Sequence, residues 1–393
     1  MKIGYLISSY LPKIGGAEAF THNMATELTK QGHYVVVITP SRGKKFDNLF
    51  KYKVERLNPL LARFLLANFS LGKLYVERKL SNLQKKYGFD LWQATIGYPL
   101  GAAAVDFFNR NNIPCILRCV GEDMQVYPPL RYGYRLKKGV DKIVREKYKK
   151  FGAVIAASES MKKDFLSLGV PAEKISVIPN GVNCSQFKNI KNRAEVRKVL
   201  GVDNVQKLLL TVGRNHPKKG FDQILPITRI LSRRHMDFKW LLIGKNCSEI
   251  KKAAEKEGLG RYFIVKEVKA KISPFGILEV PSEELIGYYK AADIFVFPTY
   301  IELFAKVLIE AMAAGLAIVT TDAPGANEMI DHDINGLKSK TRNAEGMAGL
   351  IMNVFSDKEL EKRLRENALS ASTGYDWNAV VGRYTELYKR LLD

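Results

Sequence analysis

Residues 293–315 read DIFVFPTYIELFAKVLIEAMAAG, which is an apolar strand, a short loop and a helix that ends at Gly315. Glycine is common just past the end of a helix, because it adopts left-handed backbone at little cost. A buried apolar strand followed directly by a helix is the repeating unit of a parallel α/β sheet. The stretch therefore predicts one βα unit.

Similar units occur on both sides of this stretch. The apolar runs are IGYLIS (3–8), YVVVIT (34–39), DLWQAT (90–95), PCILR (114–118) and AVIAAS (153–158), then KLLLTVG (207–213), KWLLIG (239–244), YFIVK (262–266) and LAIVTT (316–321). Helix-like patterns lie between them. The two series predict the α/β class, with two Rossmann-like, doubly wound domains.

The boundary between the two series is VIPNGVNCSQF at 177–187, where Pro, Asn and Gly interrupt the pattern. A chain of 393 residues is long enough for two separate cores. We expect an N-terminal domain over 1–183 and a C-terminal domain over 184–374. The last helix, about 375–393, should pack back on the first domain.

Composition restricts the location and the chemistry. No run approaches the roughly 18 apolar residues of a membrane span, and MKIGYLISSYLP at the start reads as a strand rather than a signal peptide. Four scattered cysteines are too few for a disulfide framework, and Cys115 and Cys119 lack a second Cys/His pair. We expect a cytoplasmic protein with no metal site.

The charge is strongly positive and uneven. The net charge is +22, and residues 1–185 hold 29 Lys/Arg against 14 Asp/Glu. Such a surface attracts a nucleic acid, a phospholipid surface or a phosphorylated acceptor. Residues 131–150 add nine cations, two acids and three tyrosines, but no nucleic-acid fold signature accompanies them. We therefore expect no nucleic-acid partner.

A basic, apolar segment suggests a membrane contact. Residues 42–86 contain 12 Lys/Arg against three acids, and 57–71 place Leu60, Leu61, Phe64, Leu65 and Leu66 along a helical stripe. This combination is typical of interfacial helices that dock on an anionic membrane. A buried helix with a solvated basic back explains the pattern equally well.

Two loops at strand ends carry the candidate chemistry. The first follows KLLLTV and runs from Gly213 to Gly220, with Arg214 as a planar fork and Lys219 as a mobile charge; together they suit the two phosphates of a diphosphate. A solvated basic loop is the plain alternative. The only histidine here is His216, and we expect His22, His33, His235 and His332 to be surface or capping residues.

The second loop contains Glu302 and leads into the helix that contains Glu310. Eight residues on one helix span about 12 Å, which is longer than the roughly 5–9.5 Å between the carboxyls of a glycoside hydrolase. With Glu302 before the helix instead, free N–H groups at the helix N-terminus can hold phosphate. Glu310 can then accept hydrogen bonds from ribose hydroxyls while Glu302 approaches the sugar.

The assembled motifs resemble the retaining nucleotide-sugar glycosyltransferases of glycosyltransferase family four, which have the GT-B fold. The likeness runs nearly end to end: GGAE at 15–18, Ser158 in AASES, PNGVNCSQF, GRNHPKKG as G-R-x4-K-G, Glu302 and Glu310 as E-x7-E, AMAAGLAIV, PGANE, DINGL and the tryptophan of the last helix. Two domains facing a central cleft are what this resemblance implies.

The resemblance also implies a set of roles. Arg214, Lys219 and Glu302 would be catalytic; the donor contacts would be Gly15, Gly16, Gly213, Arg214, Lys219, Phe304, Ala305 and Glu310. The enzyme would be a retaining, metal-independent hexosyltransferase with no cofactor. It would move a sugar from a nucleotide-diphosphate donor to a glycan or lipid-linked acceptor in surface polysaccharide, lipopolysaccharide or glycolipid synthesis. From the few cysteines and from the basic first half with its apolar stripe, and not from the resemblance, we expect it to be cytoplasmic and peripheral on the inner face of the membrane.

Two departures weaken the resemblance. Val120 occupies the position of a histidine that many relatives direct at the donor sugar, and Arg118, Glu122 or Asp123 could serve the acceptor there instead. Leu303 and Ala305 replace the glycines of the common E-G-F-G. Two alternatives therefore stay open: a non-catalytic basic binding protein on a transferase scaffold, and a GT-B epimerase or phosphorylase.

Overall fold

The computed structural model describes residues 1–188, 193–268, 271–272 and 278–393. The chain forms two compact units. The first unit comprises Met1–Asn180, Lys271–Val280 and Trp377–Asp393, and the second comprises Gly181–Ala270 and Pro281–Asp376.

The first unit is a parallel sheet covered by helices. Its strands are β1 Lys2–Ile7, β2 Tyr34–Thr39, β3 Lys53–Arg56, β4 Leu91–Thr95, β5 Cys115–Arg118, β6 Ala153–Ala156 and β7 Ile175–Val177. Its helices before the boundary are α1 Gly16–Lys30, α2 Leu61–Ala67, α3 Phe69–Tyr87, α4 Ala102–Arg110, α5 Lys138–Tyr148 and α6 Glu159–Ser167. The strand order is β3-β2-β1-β4-β5-β6-β7, so the winding direction reverses between β1 and β4.

The second half of the chain repeats the design. Its strands are β8 Lys207–Val212, β9 Phe238–Ile243, β10 Phe263–Lys266, β11 Lys271–Ile272, β12 Leu278–Glu279, β13 Ile294–Phe297, β14 Ala317–Thr321 and β15 Leu337–Ser339. Its helices are α7 Arg193–Leu200, α8 Ile224–Arg233, α9 Ser248–Lys256, α10 Glu283–Ala291, α11 Lys306–Ala313, α12 Ala344–Ser356, α13 Lys358–Ser372 and α14 Trp377–Leu392.

The second sheet is also parallel, in the order β10-β9-β8-β13-β14-β15. β11 and β12 form a separate antiparallel pair that belongs to the first unit. The central strands of both large sheets are continuous apolar runs because helices cover both faces of the sheets, whereas the edge strand β3 is charged. The α/β class with two Rossmann-like sheets, predicted from the apolar runs, is confirmed.

Helix α14 belongs to the first unit and is fixed there by aromatic residues. The hydroxyl groups of Tyr388 and Tyr5 lie 2.6 Å apart, and the Tyr388 hydroxyl lies 2.6 Å from Gln93 Oε1. The ring of Phe20 on α1 packs against Tyr384 with centroids 5.8 Å apart. The end of the chain therefore completes the core beneath β1 and β4.

One histidine differs from the sequence prediction. His22 was expected at the surface or at a helix end, but it is buried on α1, with Nδ1 2.5 Å from the Tyr52 hydroxyl. Burial lowers the pKa of His22 to about 4. The expectation was wrong because a helix position alone does not reveal that α1 packs against the segment containing Tyr52.

Within the part of the chain that the structure describes, every helix is too short or too polar to cross a bilayer. The four cysteines are free thiols, and Cys115, Cys119 and Cys247 are buried.

Candidate functional site

The second unit brings two distant loops to one edge of its sheet. β8 and β13 are neighbours, with Leu209 opposite Ile294 and Leu210 opposite Phe295. The sheet extends from β8 through β9 to β10, and from β13 through β14 to β15, so this is where the winding reverses. Ligands of open α/β sheets bind at the carboxyl ends of the strands at such a reversal. The loops after β8 and β13 lie at this edge.

Two of the predicted site residues from these loops meet directly. Lys219 Nζ donates to Glu302 Oε1 at 2.5 Å, and their side chains are only 18% and 6% exposed. The Thr299 hydroxyl donates to the same oxygen at 3.1 Å. The Lys219 ammonium also lies 5.2 Å from the centroid of the Phe297 ring. The cation expected at phosphate and the carboxylate expected at sugar therefore form one ion pair.

The turn after β14 fixes the backbone of Glu302. The Glu302 N–H donates to the Pro324 carbonyl at 3.0 Å. Gly325 has φ +75°, and a Cβ there would lie 2.3 Å from the Glu302 carbonyl oxygen. Only glycine permits this close approach. From sequence alone, PGANE had no chemical role; in the structure its Pro-Gly turn holds the backbone of Glu302, a predicted site residue.

Arg214 differs from Lys219 in having no partner among the residues that the structure describes. Its side chain is exposed, and no described residue forms a hydrogen bond or an ion pair with it. It follows Gly213, whose N–H donates to the Ile243 carbonyl at 2.8 Å. His216 accepts from the Lys218 N–H at 3.3 Å and so caps the turn that carries Lys219. The loop thus presents one free guanidinium beside a paired ammonium.

The start of α11 offers backbone donors. Among the described residues, none accepts a hydrogen bond from the N–H of Phe304 or Ala305. The Phe304 ring packs on Tyr375 at 5.9 Å, and Ala305 is 1% exposed, so the backbone between them is fixed. Unpaired N–H groups at a helix N-terminus favour an anion. These are the two groups predicted to contact phosphate.

Glu310 lies one turn further along α11 and is buried. Its Oε2 accepts from the Tyr289 hydroxyl at 2.9 Å, and its Oε1 lies 3.7 Å from Lys306 Nζ. Burial raises the pKa of Glu310, although Lys306 and the Tyr289 hydroxyl act in the opposite direction. A carboxylate kept at this depth with two fixed neighbours is suited to bind a polar group of a ligand.

The glycine-rich turn of the first unit begins a helix, as predicted. α1 starts at Gly16 after Gly15, and the Gly15 carbonyl accepts from the Ala19 N–H at 3.0 Å. A Cβ at Gly15 would lie 2.7 Å from Glu18 Oε2. Glu18, only 6% exposed, thus places a carboxylate at the helix N-terminus. This carboxylate already complements the positive end of α1.

Two of the three predicted acceptor residues are interior. Arg118 is 1% exposed; its Nε donates to the Tyr384 hydroxyl at 2.9 Å, its Nη2 donates to Asn180, and its guanidinium stacks over Phe20 at 3.6 Å. These partners give Arg118 a structural function. An acceptor contact by Arg118 stays a prediction that its burial does not support.

Asp123 is also buried, and it interacts with the Cys119 side chain and with backbone groups. Its carboxylate accepts from the N–H of Gly97 at 2.7 Å, Gly121 at 3.1 Å and Val120 at 3.3 Å. It ties the loop after β4 to the loop after β5, and burial raises its pKa. Glu122 alone is exposed among the three. The acceptor role of Asp123 also stays a prediction without support from its contacts.

Sequence reasoning missed three residues of this site: Thr299, Tyr289 and Lys306. A signal existed for Lys306, because it is four residues before Glu310 on the same helix. Tyr289 lies on α10, and its contact with Glu310 has no sequence signature. Among the described residues, no three His, Cys, Asp or Glu side chains form a cluster that could hold a metal ion.

Comparison with known proteins identifies the family of this chain. The family model for glycosyl transferases group 1 matches residues 192–370, and that for Glycosyltransferase Family 4 matches residues 14–186. An uncharacterized glycosyltransferase of Methanocaldococcus jannaschii is 25% identical over 99% of this chain and 98% of its own length. The alpha-monoglucosyldiacylglycerol synthase of Streptococcus pneumoniae is 25% identical over 86% of this chain and 74% of its own length.

The fold has close structural matches. Anabaena HepE, solved in complex with UDP, superposes with a TM-score of 0.81 at 20% identity, over 99% of this chain and 100% of that one. The family models are those of glycosyltransferases, and the structural match has the same two-sheet fold as this chain. The chain belongs to the group 1 glycosyltransferases of glycosyltransferase family four and has the GT-B fold. The family and the fold predicted from the motifs are confirmed.

Asp123 provides a test of structural against acceptor function. In Asp123→Asn an amide NH₂ replaces one oxygen that faces backbone N–H donors, so we expect a loss of about 1–3 kcal/mol in the free energy of unfolding. Urea unfolding followed by circular dichroism measures it. The exposed neighbour variant Glu122→Gln should change stability by less than about 0.5 kcal/mol. Unchanged stability in Asp123→Asn with a raised KM for acceptor would instead support the acceptor role.

Glu310 provides a pH-dependent test. Its folded-state pKa is raised, so its ionised form reduces stability above that pKa, and the cost disappears below the unfolded value of about 4.3. We expect Glu310→Gln to raise the melting temperature at pH 7, because it removes the cost of the buried charge. Each 1 kcal/mol gained in the free energy of unfolding raises the melting temperature by about 2–4 °C, and little change is expected near pH 4. Calorimetry at both pH values measures this difference.

The matched control for this test is Glu366→Gln, because Glu366 is exposed on α13. It should leave the melting temperature unchanged at both pH values. Equal destabilisation by Glu310→Gln at pH 7 and pH 4 would show that the carboxyl group supports the fold whatever its charge, contrary to this expectation.

Proposed function

We propose that this glycosyltransferase is a retaining, metal-independent hexosyltransferase that uses a nucleotide-diphosphate sugar. The observation that carries the proposal is the Lys219–Glu302 ion pair, which lies at the sheet reversal together with Arg214, a cation without a partner in the described part of the chain. The charges of Lys219 and Glu302 cancel, so Arg214 leaves these three groups with one net positive charge. An anionic ligand therefore fits beside a carboxylate that can accept hydrogen bonds from a polyol.

In this proposal, the site residues of the second unit bind different parts of the donor. Arg214 holds the diphosphate with its guanidinium fork, and Lys219 contributes a second cation. The N–H groups of Phe304 and Ala305 contact a phosphate oxygen, and Glu310 accepts from the ribose. Glu302 orients the transferred sugar.

The transfer itself requires one bond to break and one to form. The bond between sugar C1 and the phosphate oxygen breaks, and its electron pair moves to the diphosphate. The acceptor oxygen bonds to C1 on the same face, and its proton passes to the leaving phosphate oxygen. Fixed cations and backbone N–H groups stabilise the growing negative charge without reorganising. This route needs no cofactor.

For the acceptor, we propose a glycan or a lipid-linked glycan in surface polysaccharide, lipopolysaccharide or glycolipid synthesis. The name of the Streptococcus pneumoniae relative, alpha-monoglucosyldiacylglycerol synthase, supports a glycolipid setting. The surplus of 15 cations over acids in residues 1–185 supports an acceptor that carries phosphate or lies at an anionic surface.

Sugar transfer can be tested with a panel of nucleotide-diphosphate sugars and candidate acceptors, with products identified by mass spectrometry and NMR. We expect transfer with the anomeric configuration of the donor retained and with the rate unchanged by EDTA. Lys219→Ala should lower kcat/KM by about 10²–10³-fold, because it removes a cation next to the developing charge. Glu310→Ala should mainly raise the KM for donor.

Three outcomes would contradict this proposal. Inverted configuration would exclude the same-face route, and loss of activity in EDTA would exclude metal independence. The absence of transfer or donor hydrolysis with every sugar, in protein that is folded by circular dichroism, would favour the non-catalytic binding protein.

We also propose that the first unit is peripheral on an anionic membrane. The apolar stripe of α2 is divided: Leu61 and Leu65 are buried at 3% and 0% exposure, whereas Leu60, Phe64 and Leu66 are 58%, 43% and 60% exposed. A buried helix therefore explains only part of the pattern. The exposed part is the apolar side of a surface that we call the docking surface.

The docking surface extends to a second segment through aromatic contacts. Phe69 at the start of α3 stacks on Tyr98 with centroids 6.2 Å apart, and Tyr98 contacts Tyr134 at 6.2 Å. Tyr134 and its neighbour Leu136 are 42% and 40% exposed. The buried ring of Tyr98 thus connects the segment that contains the exposed residues of α2 with the segment that contains Tyr134 and Leu136.

Cations lie directly beside these apolar side chains. Arg63 on α2 is exposed, and so are Lys137, Lys138 and Lys142 at the start of α5. Each cation near an anionic leaflet contributes about 1 kcal/mol, and each apolar side chain inserted adds about 1–2 kcal/mol for a partial burial. Together they support reversible binding to a bilayer of acidic lipid.

Vesicle sedimentation tests this surface. We expect Phe64→Ser/Leu66→Ser to lower the partition coefficient on vesicles of phosphatidylglycerol and phosphatidylcholine by about tenfold or more at low salt, because two inserted side chains are lost. Both side chains are exposed, so folding should be retained. Leu65 is unsuitable because its replacement would disturb the core.

The matched control is Ile334→Ser/Leu369→Ser, which replaces two side chains of the second unit that are 57% and 50% exposed. It should bind vesicles like the wild type. Equal binding by both double variants, or no wild-type binding to anionic vesicles, would show that the docking surface does not contact lipid.

A further inference from the structure

Both carboxylates of the second-unit site have the same kind of support. Glu302 accepts from the hydroxyl of Thr299 and pairs with Lys219; Glu310 accepts from the hydroxyl of Tyr289 and lies near Lys306. The first lysine belongs to the predicted phosphate loop. The second lysine has no assigned function.

Lys306 is at an electrostatically unfavourable position. It is the first residue of α11 and the only basic one in it. A cation near a helix N-terminus opposes the helix dipole, at a cost of about 0.3–1 kcal/mol. Side chains that break such a local rule are often found at functional sites.

Glu310 compensates this cost only in part. The distance from Lys306 Nζ to Glu310 Oε1 is 3.7 Å, which is longer than a hydrogen bond. The Lys306 side chain is 23% exposed, so its ammonium keeps N–H donors for an oxygen from outside. In the chain, Lys306 directly follows Phe304 and Ala305, whose N–H groups no described residue uses.

We propose that Lys306 is a third phosphate-binding cation of this site and makes it select nucleoside diphosphates over monophosphates. The inference rests on the proposed function, because it assumes that a nucleotide occupies the edge formed by β8 and β13. Glu302 largely neutralises the charge of Lys219. Arg214 alone would then balance only part of the negative charge of a diphosphate. Lys306 supplies the missing positive charge from the start of α11, on the other side of the β8–β13 edge in sequence from Arg214.

The same cation has a task during transfer. When the bond between sugar C1 and the phosphate oxygen breaks, its electron pair adds negative charge to the diphosphate. A fixed ammonium near that group stabilises the transition state more than the bound donor. Lys306 therefore contributes to kcat and to the affinity for the released nucleoside diphosphate.

Calorimetric titration with UDP, UMP, GDP, GMP, ADP and AMP tests the inference. In Lys306→Met we expect the ratio of monophosphate Kd to diphosphate Kd to fall by about tenfold, which corresponds to the loss of one charge contact. In donor assays kcat should fall by about 10–100-fold with a smaller change in KM. Lys306→Arg should restore the Kd ratio to within about threefold of the wild type.

Tyr289→Phe is the matched control, because it also removes a partner of Glu310 but no charge. It should weaken diphosphate and monophosphate equally, so their Kd ratio stays within about twofold of the wild type. If Lys306 acted only through Glu310, Lys306→Met would show this same pattern, and the inference would be overturned.

The two proposals fail in different ways. Wild-type protein that binds none of the six nucleotides and transfers no sugar would contradict the proposed function. Wild-type protein that binds diphosphates and transfers sugar, together with an unchanged Kd ratio in folded Lys306→Met, would contradict only the role of Lys306.

Discussion

The pairing of β8 with β13 is the contact on which the site of the second unit depends. Asp293, at the start of β13, accepts from the Leu208 N–H at 2.7 Å and donates its own N–H to the Leu208 carbonyl at 2.8 Å. Its carboxylate also pairs with Arg193 and with the buried Arg197. This fixes the register at the amino ends of the strands. Because both strands are short and parallel, their carboxyl ends then meet, with the loops that contain Lys219 and Glu302.

The charges at that edge are arranged in near-neutral pairs with one excess cation. Burying an isolated carboxylate costs several kcal/mol, and a paired one costs much less. Glu302 and Glu310 are tolerated at 5% and 4% exposure because each has a hydroxyl donor and a lysine. Arg214, which pairs with none of the described residues, makes the net charge of the site positive. The arrangement exists before a ligand binds, so binding needs little reorganisation of the protein.

The sequence predicts the parts of this protein that depend on local pattern. Apolar runs identified the long central strands because such strands are buried on both faces. The three-residue β7 and β15 and the charged β3 were missed because they are too short or too polar to show a pattern. The identities of Lys219, Glu302 and Glu310 followed from motif spacing. Contacts between distant segments could not be predicted in this way. Tyr289 reaches Glu310 from another helix. Asp123, which follows β5, binds the backbone of Gly97, which follows β4.

The stripe on α2 shows why pattern alone left two interpretations open. Its apolar residues occur on more than one side of a seven-residue helix, so periodicity cannot say which side faces the core. The structure decides this through Gly72 on α3: a Cβ there would lie 2.7 Å from Leu65 Cδ2, so α3 approaches closely and covers Leu65. Leu66 is left at 60% exposure. Because α2 packs with Leu61 and Leu65 facing inward, Leu60, Phe64 and Leu66 must face outward. Burial within this chain therefore does not explain why these three side chains are apolar.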